Sequence, residues 1–418
     1  MWLYMHICIN LLRLSDAITI TTQDLRRIDF PVIWMPHYNI LDIVRISSDI
    51  PLRELEAFQT KGTGSEDLLI VYRQGISYPP RIDRRVLEGN PSVSYVEHGG
   101  SFGATVKITP GNCVTVEVNW LLKLSNAVLY VNVVEPLVRL MLARRGFALL
   151  HSACLARKDA AILFSAPPDT GKTTTVLKCL ERGWFSFLSD DMTIIGPDLK
   201  VHKFPKPFTI SAHTYASMIS DEELRLKGIR KKTKLRIKSL VHSRMGRKVL
   251  RLIGELNVPI LTLNALGQMV VRPPKVFVED LVRGVTTQSQ AEPVAICLLR
   301  KRGEKVASAR RGPVLEELLY NSEDAFGFPP YSDVFRSLEI GGRKSSEILA
   351  DERELLARLV NKTACFYLHS DSRRWDLELN EVMDMMLKPA ESAVPPGIGQ
   401  LPVAVKAELP ALVQTRQG

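Results

Sequence analysis

Three clusters in the middle of the chain carry residue types suited to phosphate chemistry. The stretch "SAPPDTGKTT", Ser165 to Thr174, nearly matches a phosphate loop, Asp190-Asp191 follows it, and His151 precedes it. A phosphate loop reads Gly-x-x-x-x-Gly-Lys-Ser/Thr. Its backbone N–H groups point inward at phosphate oxygens, and the helix after it adds the positive end of its dipole. Here Ala166 stands at the first glycine, and Pro167 and Pro168 follow. Proline has no N–H, but the working donors come later, from Asp169, Thr170, Gly171, Lys172 and Thr173. Alanine can serve the turn off the strand while its φ stays negative. Gly171 is retained at the closest backbone approach. Lys172 can reach the β- and γ-phosphates, and Thr173 can ligate Mg²⁺. With Ala166 and Thr174, these residues form the candidate nucleotide site.

Asp190 and Asp191 end the apolar run "FSFL" after one small residue. One carboxylate can hold Mg²⁺ together with Thr173. The other can take a proton from an attacking hydroxyl. The residues do not say which is which. A lone histidine is usually structural, and on local evidence His151, fifteen residues before Ala166, is no exception.

These residues need elements to hold them. "FALLHSACLA" reads as a strand, "RKDA" as a turn and "AILFSA" as a second strand. After the loop, "KTTTVLKCLERG" reads as a helix closed by glycine. "WFSFLSDDMTII" reads as one more strand, and "GPDLK" as a turn into "VHKFPKPFTIS". The loop therefore lies between a strand and a helix, the context a phosphate-loop match requires. Upstream, residues from about 20 to 125 read as strand-rich, with "DLLIVYRQ" and "TVKITPGNCVTVEVNW" alternating and Pro110-Gly111-Asn112 as a hairpin turn. "VVEPLVRLMLARRG" has helical periodicity. Downstream, "VPILTLNALGQMVV" and "AEPVAICLLRKRG" read as strands. Residues 345–388 read as helical, and the Pro/Ala/Gly-rich tail from Pro389 as disordered.

The 418 residues leave room for two or three domains. The net charge is +10. Twelve Lys/Arg and no acid lie between Leu224 and Arg251, so the rest of the chain is close to neutral. That run suits an acidic partner or an anionic surface. No aromatic residue interleaves it, which argues against nucleic acid. The six cysteines form no Cys-x-x-Cys pair, so neither a disulfide framework nor a zinc site is expected, and a reducing, cytoplasmic location follows. The apolar N-terminus "MWLYMHICINLLRLS" is too short to span a bilayer and lacks a basic leader. No transmembrane segment is read elsewhere.

Taken together, His151, the loop, "LERG" with Arg182-Gly183 and "LSDD" resemble the catalytic domain of HPr kinase/phosphorylase and its wider relatives. That family has a histidine before two strands, a phosphate loop, a helix ending in Arg-Gly, and an Asp-Asp pair. The resemblance is good from Leu149 to Ser211 and weaker over 252–300, where "NALGQMVVR" is a faint match. It implies an α/β phosphate-loop fold related to phosphoenolpyruvate carboxykinase, ATP and Mg²⁺ as ligands, transfer of phosphate to a serine hydroxyl, and an aspartate base. Carried over, Lys172 and Thr173 bind phosphate and Mg²⁺, Asp190 and Asp191 divide metal and base roles, and His151 supports the loop or the phosphate. The bacterial kinase is a hexamer, so a homo-oligomer is part of what the resemblance implies. Ala166, Thr174 in place of an acid, and "IGELN" in place of "RGLG" depart from the bacterial pattern. They align the chain with the looser relatives of peptide maturation and polysaccharide synthesis.

The expectation is therefore an α/β chain: a strand-rich region over 1–130, and a phosphate-loop kinase domain over 131–345 with a basic helical insertion at 221–251. A C-terminal helical segment follows over 346–388, then a disordered tail over 389–418. Its expected activity is ATP-dependent transfer to a hydroxyl of a peptide, protein or small molecule. Two other readings stand beside it: a nucleotide-dependent binding module, and a carboxykinase-like enzyme acting on a small acid. The last would need a metal-binding His/Lys pair and an arginine that the sequence does not reveal.

Overall fold

The computed structural model describes residues 35–62, 64–74, 84–88, 92–97, 103–167, 170–209, 259–270, 275–301, 303, 305–371 and 374–388. The apolar N-terminus, Pro168, Asp169, the basic run 224–251 and the tail from Pro389 lie outside these residues.

The first half is a mixed sheet of eight strands. These are β1 (His37–Ile40), β2 (Val44–Ser48), β3 (Gln59–Thr60), β4 (Leu68–Tyr72), β5 (Arg84–Glu88), β6 (Val93–Glu97), β7 (Thr105–Thr109) and β8 (Val114–Val118), in the order β3-β1-β2-β4-β8-β7-β6-β5. The alternation in the sequence is what builds it. In β8, Val114, Val116 and Val118 are buried while Thr115 and Glu117 are only half covered, the period of two that puts one face on a core. The hairpin at Pro110-Gly111-Asn112 forms as read, with Thr109 opposite Thr115.

The chain then turns helical through α1 (Trp120–Leu124), α2 (Asn126–Leu129), a π-turn (Tyr130–Val134) and α3 (Glu135–Arg144). Among the described residues, the run Asn126–Arg144 is long and apolar enough to cross a membrane, but 78% of it is buried inside the fold. It is a core helix. The boundary read at 130/131 falls inside this run, and one apolar core extends from Tyr38 through Leu137 to Ile348.

The second half is a sheet between two helical layers. Its elements are β9 (Ala148–Leu150), β10 (Ala153–Arg157), β11 (Ala160–Ser165), α4 (Lys172–Glu181), β12 (Ser186–Ser189), β13 (Thr193–Ile195), β14 (Val201–His202), β15 (Phe208–Thr209), α5 (Ile260–Val270), β16 (Lys275–Val276), α6 (Val278–Leu281), β17 (Gln290–Arg300), β18 (Val306–Ser308), α7 (Arg311–Phe326), β19 (Glu339–Ile340), β20 (Arg343–Lys344), α8 (Ser345–Lys362), β21 (Ala364–His369) and α9 (Asp376–Leu387). β11 runs parallel to β17, and β17 parallel to β21. Strands covered on both faces read as continuous apolar runs, and β11 is buried throughout. Ile162 and Phe164 pack toward α4 and α9, while Ala161 and Leu163 pack toward α7 and α8. The chain is thus mixed α/β, as expected.

Four readings need correction. "FALLHSACLA" is two strands, broken at His151-Ser152, and "WFSFLSDDMTII" is also two, broken at Asp190–Met192. The reason is pairing: β9 pairs with β13, whereas β10 pairs with β12. Both segments change neighbours at the same level of the sheet, so their breaks lie side by side. "VPILTLNALGQMVV" is the helix α5, not a strand. Leu261, Ala265 and Met269 recur every four residues on the face that meets the core. Residues 345–388 are not all helical, because β21 separates α8 from α9 and completes the sheet beside β17.

Candidate active site

The loop leaves β11 through Ala166, which is buried. Among the described residues the non-glycines with positive φ are Leu41, Asp42, Lys158 and Leu199, so Ala166 makes the turn without strain. Thr170 Oγ1 donates to the Pro167 carbonyl at 2.5 Å, which folds the loop back on itself. Gly171 has φ +126°, a conformation that favours glycine. Its carbonyl accepts the Thr175 N–H and the Thr175 hydroxyl, each at 3.0 Å, and these bonds start α4. Thr174 is half-buried on the first turn of α4. Trp375, ahead of α9, donates its backbone N–H back to Thr175 Oγ1 at 3.3 Å, which anchors the helix from behind.

The two acids face different partners. Thr173 Oγ1 donates to Asp190 Oδ2 at 2.8 Å. The other Asp190 oxygen is buried with no hydrogen-bond partner, and so is the Lys172 ammonium. Burial pushes the Asp190 carboxyl up to about 6, against the pull of Lys172. Asp191 is 47% exposed at its side chain. Its Oδ1 lies 3.6 Å from Lys172 Nζ and 3.4 Å from His151 Nε2. Desolvation acts to raise this carboxyl, but Lys206 first, then His151 and Lys172, outweigh it and hold the group well below the usual carboxylate range. Adjacent in sequence, the two aspartates differ in exposure and in acidity.

His151 sits in the break between β9 and β10. Its Nδ1 lies 3.1 Å from the Asn321 carbonyl. A carbonyl only accepts, so Nδ1 carries a proton, and Nε2 faces Asp191, to which it donates when the ring is doubly protonated. Burial, then the charge of Lys172, lowers the imidazole below its ordinary value.

Sequence reasoning missed five supporting residues. Lys206 Nζ donates to Glu135 Oε1 at 2.6 Å and to Asp191 Oδ2 at 3.1 Å. The only signals for this pair were a lysine between two prolines and an acid inside an apolar helix. The other three lock the ends of the site together. Asn321 Nδ2 donates to Ser165 Oγ at 3.1 Å, Ser165 Oγ to the His151 carbonyl at 3.0 Å, and the His151 N–H to Ser322 Oγ at 3.2 Å. Asn321 and Ser322 belong to α7, far along the chain, and nothing in the local pattern marks them.

The arrangement suits a phosphate ester bound with a cation. The Lys172 ammonium, which pairs with Asp191 but makes no hydrogen bond, and the N–H groups opening α4 match phosphate oxygens. The free oxygen of Asp190 beside Thr173 Oγ1 matches a hard divalent ion. Among the described residues no group of three or more His, Cys, Asp or Glu could hold a metal unaided. A cation here would share its shell with the ligand's phosphates, as Mg²⁺ usually does. Of the residues predicted for the site, Ala166, Thr170, Gly171, Lys172, Thr173 and Thr174 line the loop. His151, Asp190 and Asp191 converge at its mouth, and Asp169 lies outside the described residues. No family model matches this chain, and no curated protein matches it.

Proposed function

We propose that this chain is an ATP- and Mg²⁺-dependent phosphotransferase of the HPr kinase type, carried on a phosphate-loop kinase fold. It moves the terminal phosphoryl group to a hydroxyl, that of a serine in a peptide or protein. One observation carries the reading. At the mouth of a strand–loop–helix unit, a buried ammonium and a buried carboxylate oxygen both lack hydrogen-bond partners. An unsatisfied buried polar group costs about 1–3 kcal/mol, and more when charged, so a ligand that satisfies both is strongly favoured there.

Mg²⁺-bound ATP supplies the electrophilic phosphorus and the leaving group. Lys172 and the N–H groups at the start of α4 bind the phosphates, and Thr173 with Asp190 holds the cation. Asp191 faces the acceptor. Held low in pKa, it stays ionised, orients the hydroxyl and takes its proton late, which suits the loose transition state of phosphoryl transfer. His151 Nε2 is placed to exchange that proton with Asp191.

A carboxykinase-like reaction on a small acid has one observation in its favour: His151 and Lys206 flank Asp191, the kind of His/Lys pair it needs. No arginine contacts Asp191 among the described residues. Incubation of the protein with γ-labelled ATP, Mg²⁺ and a cell extract separates the readings. Label on serine in the protein fraction supports the kinase, and label in a small acid supports the second reading. ATP binding without transfer to any acceptor would leave a nucleotide-dependent binding module.

A further inference from the structure

Two buried ionisable residues meet beneath Asp191. Glu135 opens α3 and is 3% exposed. Lys206 follows β14 and is 9% exposed. An ionised carboxylate in an apolar core is costly unless it is paired. Lys206 pairs it at 2.6 Å and still reaches Asp191 Oδ2 at 3.1 Å. The lysine has little freedom to move. Pro205 and Pro207 flank it, its backbone N–H donates to the Phe204 carbonyl at 3.0 Å, and its ammonium lies 5.5 Å from the Tyr130 ring centre.

The two oxygens of Asp191 are therefore held differently. Oδ1 faces His151 and Lys172, and Lys172 belongs to the phosphate loop. Nucleotide would claim that ammonium and free Oδ1 on the side where the acceptor must approach. Oδ2 is held by Lys206, which is tied to Glu135 away from the loop. We infer that Lys206, seated on Glu135, is a positioning residue that keeps the Asp191 carboxylate in its acceptor-facing pose while Lys172 is engaged with phosphate. The assignment rests on the phosphotransfer reading. It also brings the helical run that packs on the N-terminal sheet into the reaction, through Glu135.

The test is release of labelled inorganic phosphate from γ-labelled MgATP, with water as acceptor, alongside direct titration of MgATP. Lys206→Met should lower turnover at saturating MgATP by about 100-fold, with affinity within about threefold of wild type. Lys206→Arg keeps the charge and should recover turnover to within about tenfold of wild type. Lys206→Met strands the Glu135 charge and risks the fold, so the double variant Glu135→Gln/Lys206→Met is run beside it, with thermal melts of each. Unchanged turnover in a folded single or double variant overturns the assignment. Parallel loss of affinity and turnover does so too, since that is the mark of a merely structural residue. A wild-type chain that turns over no MgATP sinks the phosphotransfer reading and the assignment together. A wild type that turns over while its variants match it sinks the assignment alone.

Discussion

Asp190 and Asp191 show how neighbouring identical residues acquire different surroundings. Asp190 is enclosed, bonded to Thr173, and raised to about 6 by burial. Asp191 is half exposed and held low by Lys206, His151 and Lys172 against its own desolvation. If the first serves the cation and the second the acceptor, their amide variants separate. Asp190→Asn should weaken MgATP binding by about tenfold or more. Asp191→Asn should leave affinity within about threefold while lowering transfer by at least about 100-fold. Calorimetric titration and labelled-phosphate release on the same preparations check both, and identical profiles for the two variants would refute the division. The sequence showed that two acids follow a phosphate loop. It could not tell them apart, because the difference is made by Lys206 and His151, which come to the pair from other stretches of the chain.

At the scale of elements, the loop depends on a backbone conformation as much as on side chains. Gly171 at φ +126° is the pivot between Thr170 and α4. Gly171→Ala should cost about 1–3 kcal/mol of stability and weaken nucleotide binding as the N–H groups of Lys172 and Thr173 are re-aimed. Chemical denaturation together with nucleotide titration would show it, and an unchanged variant would mean that the turn is not constrained as described. A second element-level device is Glu97, at the end of β6. Its buried carboxylate accepts the Tyr95 hydroxyl and the N–H groups of Leu261 and Thr262, which caps α5. Burial nevertheless raises its pKa above the ordinary 4.5. The folded state then binds more protons than the unfolded state, so this group's contribution to stability falls as pH rises from the unfolded value through the raised folded one. Urea denaturation at a series of pH values should show Glu97→Gln gaining on wild type as pH rises through that window. A constant difference would contradict the assignment. This cap also explains the misread segment. An apolar run of fourteen residues fits strand or helix, and the choice was made by a carboxylate more than 160 positions earlier in the chain.

At the scale of the molecule, the two sheets are joined by charge as well as by apolar packing. Arg139 on α3 is buried and bonds Glu352 on α8 through two nitrogens, Glu323 on α7 at 3.0 Å, and the Tyr331 hydroxyl at 3.3 Å. Glu352 also accepts the Leu149 N–H on β9 at 3.3 Å. Arg139→Met leaves Glu352 buried and unpaired, so a loss of about 3–5 kcal/mol is expected in urea denaturation. A loss under about 1 kcal/mol would show that apolar packing alone holds these helices. The strand–loop–helix unit, the Asp pair and the hairpin at Pro110-Gly111-Asn112 were legible because local spacing encodes them. Helix 126–144 shares one core with the N-terminal sheet and with α8, and composition does not change where that core is shared. The basic run 224–251, singled out for an acidic partner, lies outside the described residues.

In the proposed function, the mouth of this loop binds MgATP through Lys172. Calorimetric titration of MgATP into the wild-type chain and into Lys172→Ala tests it most directly. Saturable binding by wild type is expected, with a loss of at least about 100-fold in the variant and its melting temperature retained. Equal affinity in the two proteins, or no binding by a folded wild type, would contradict it.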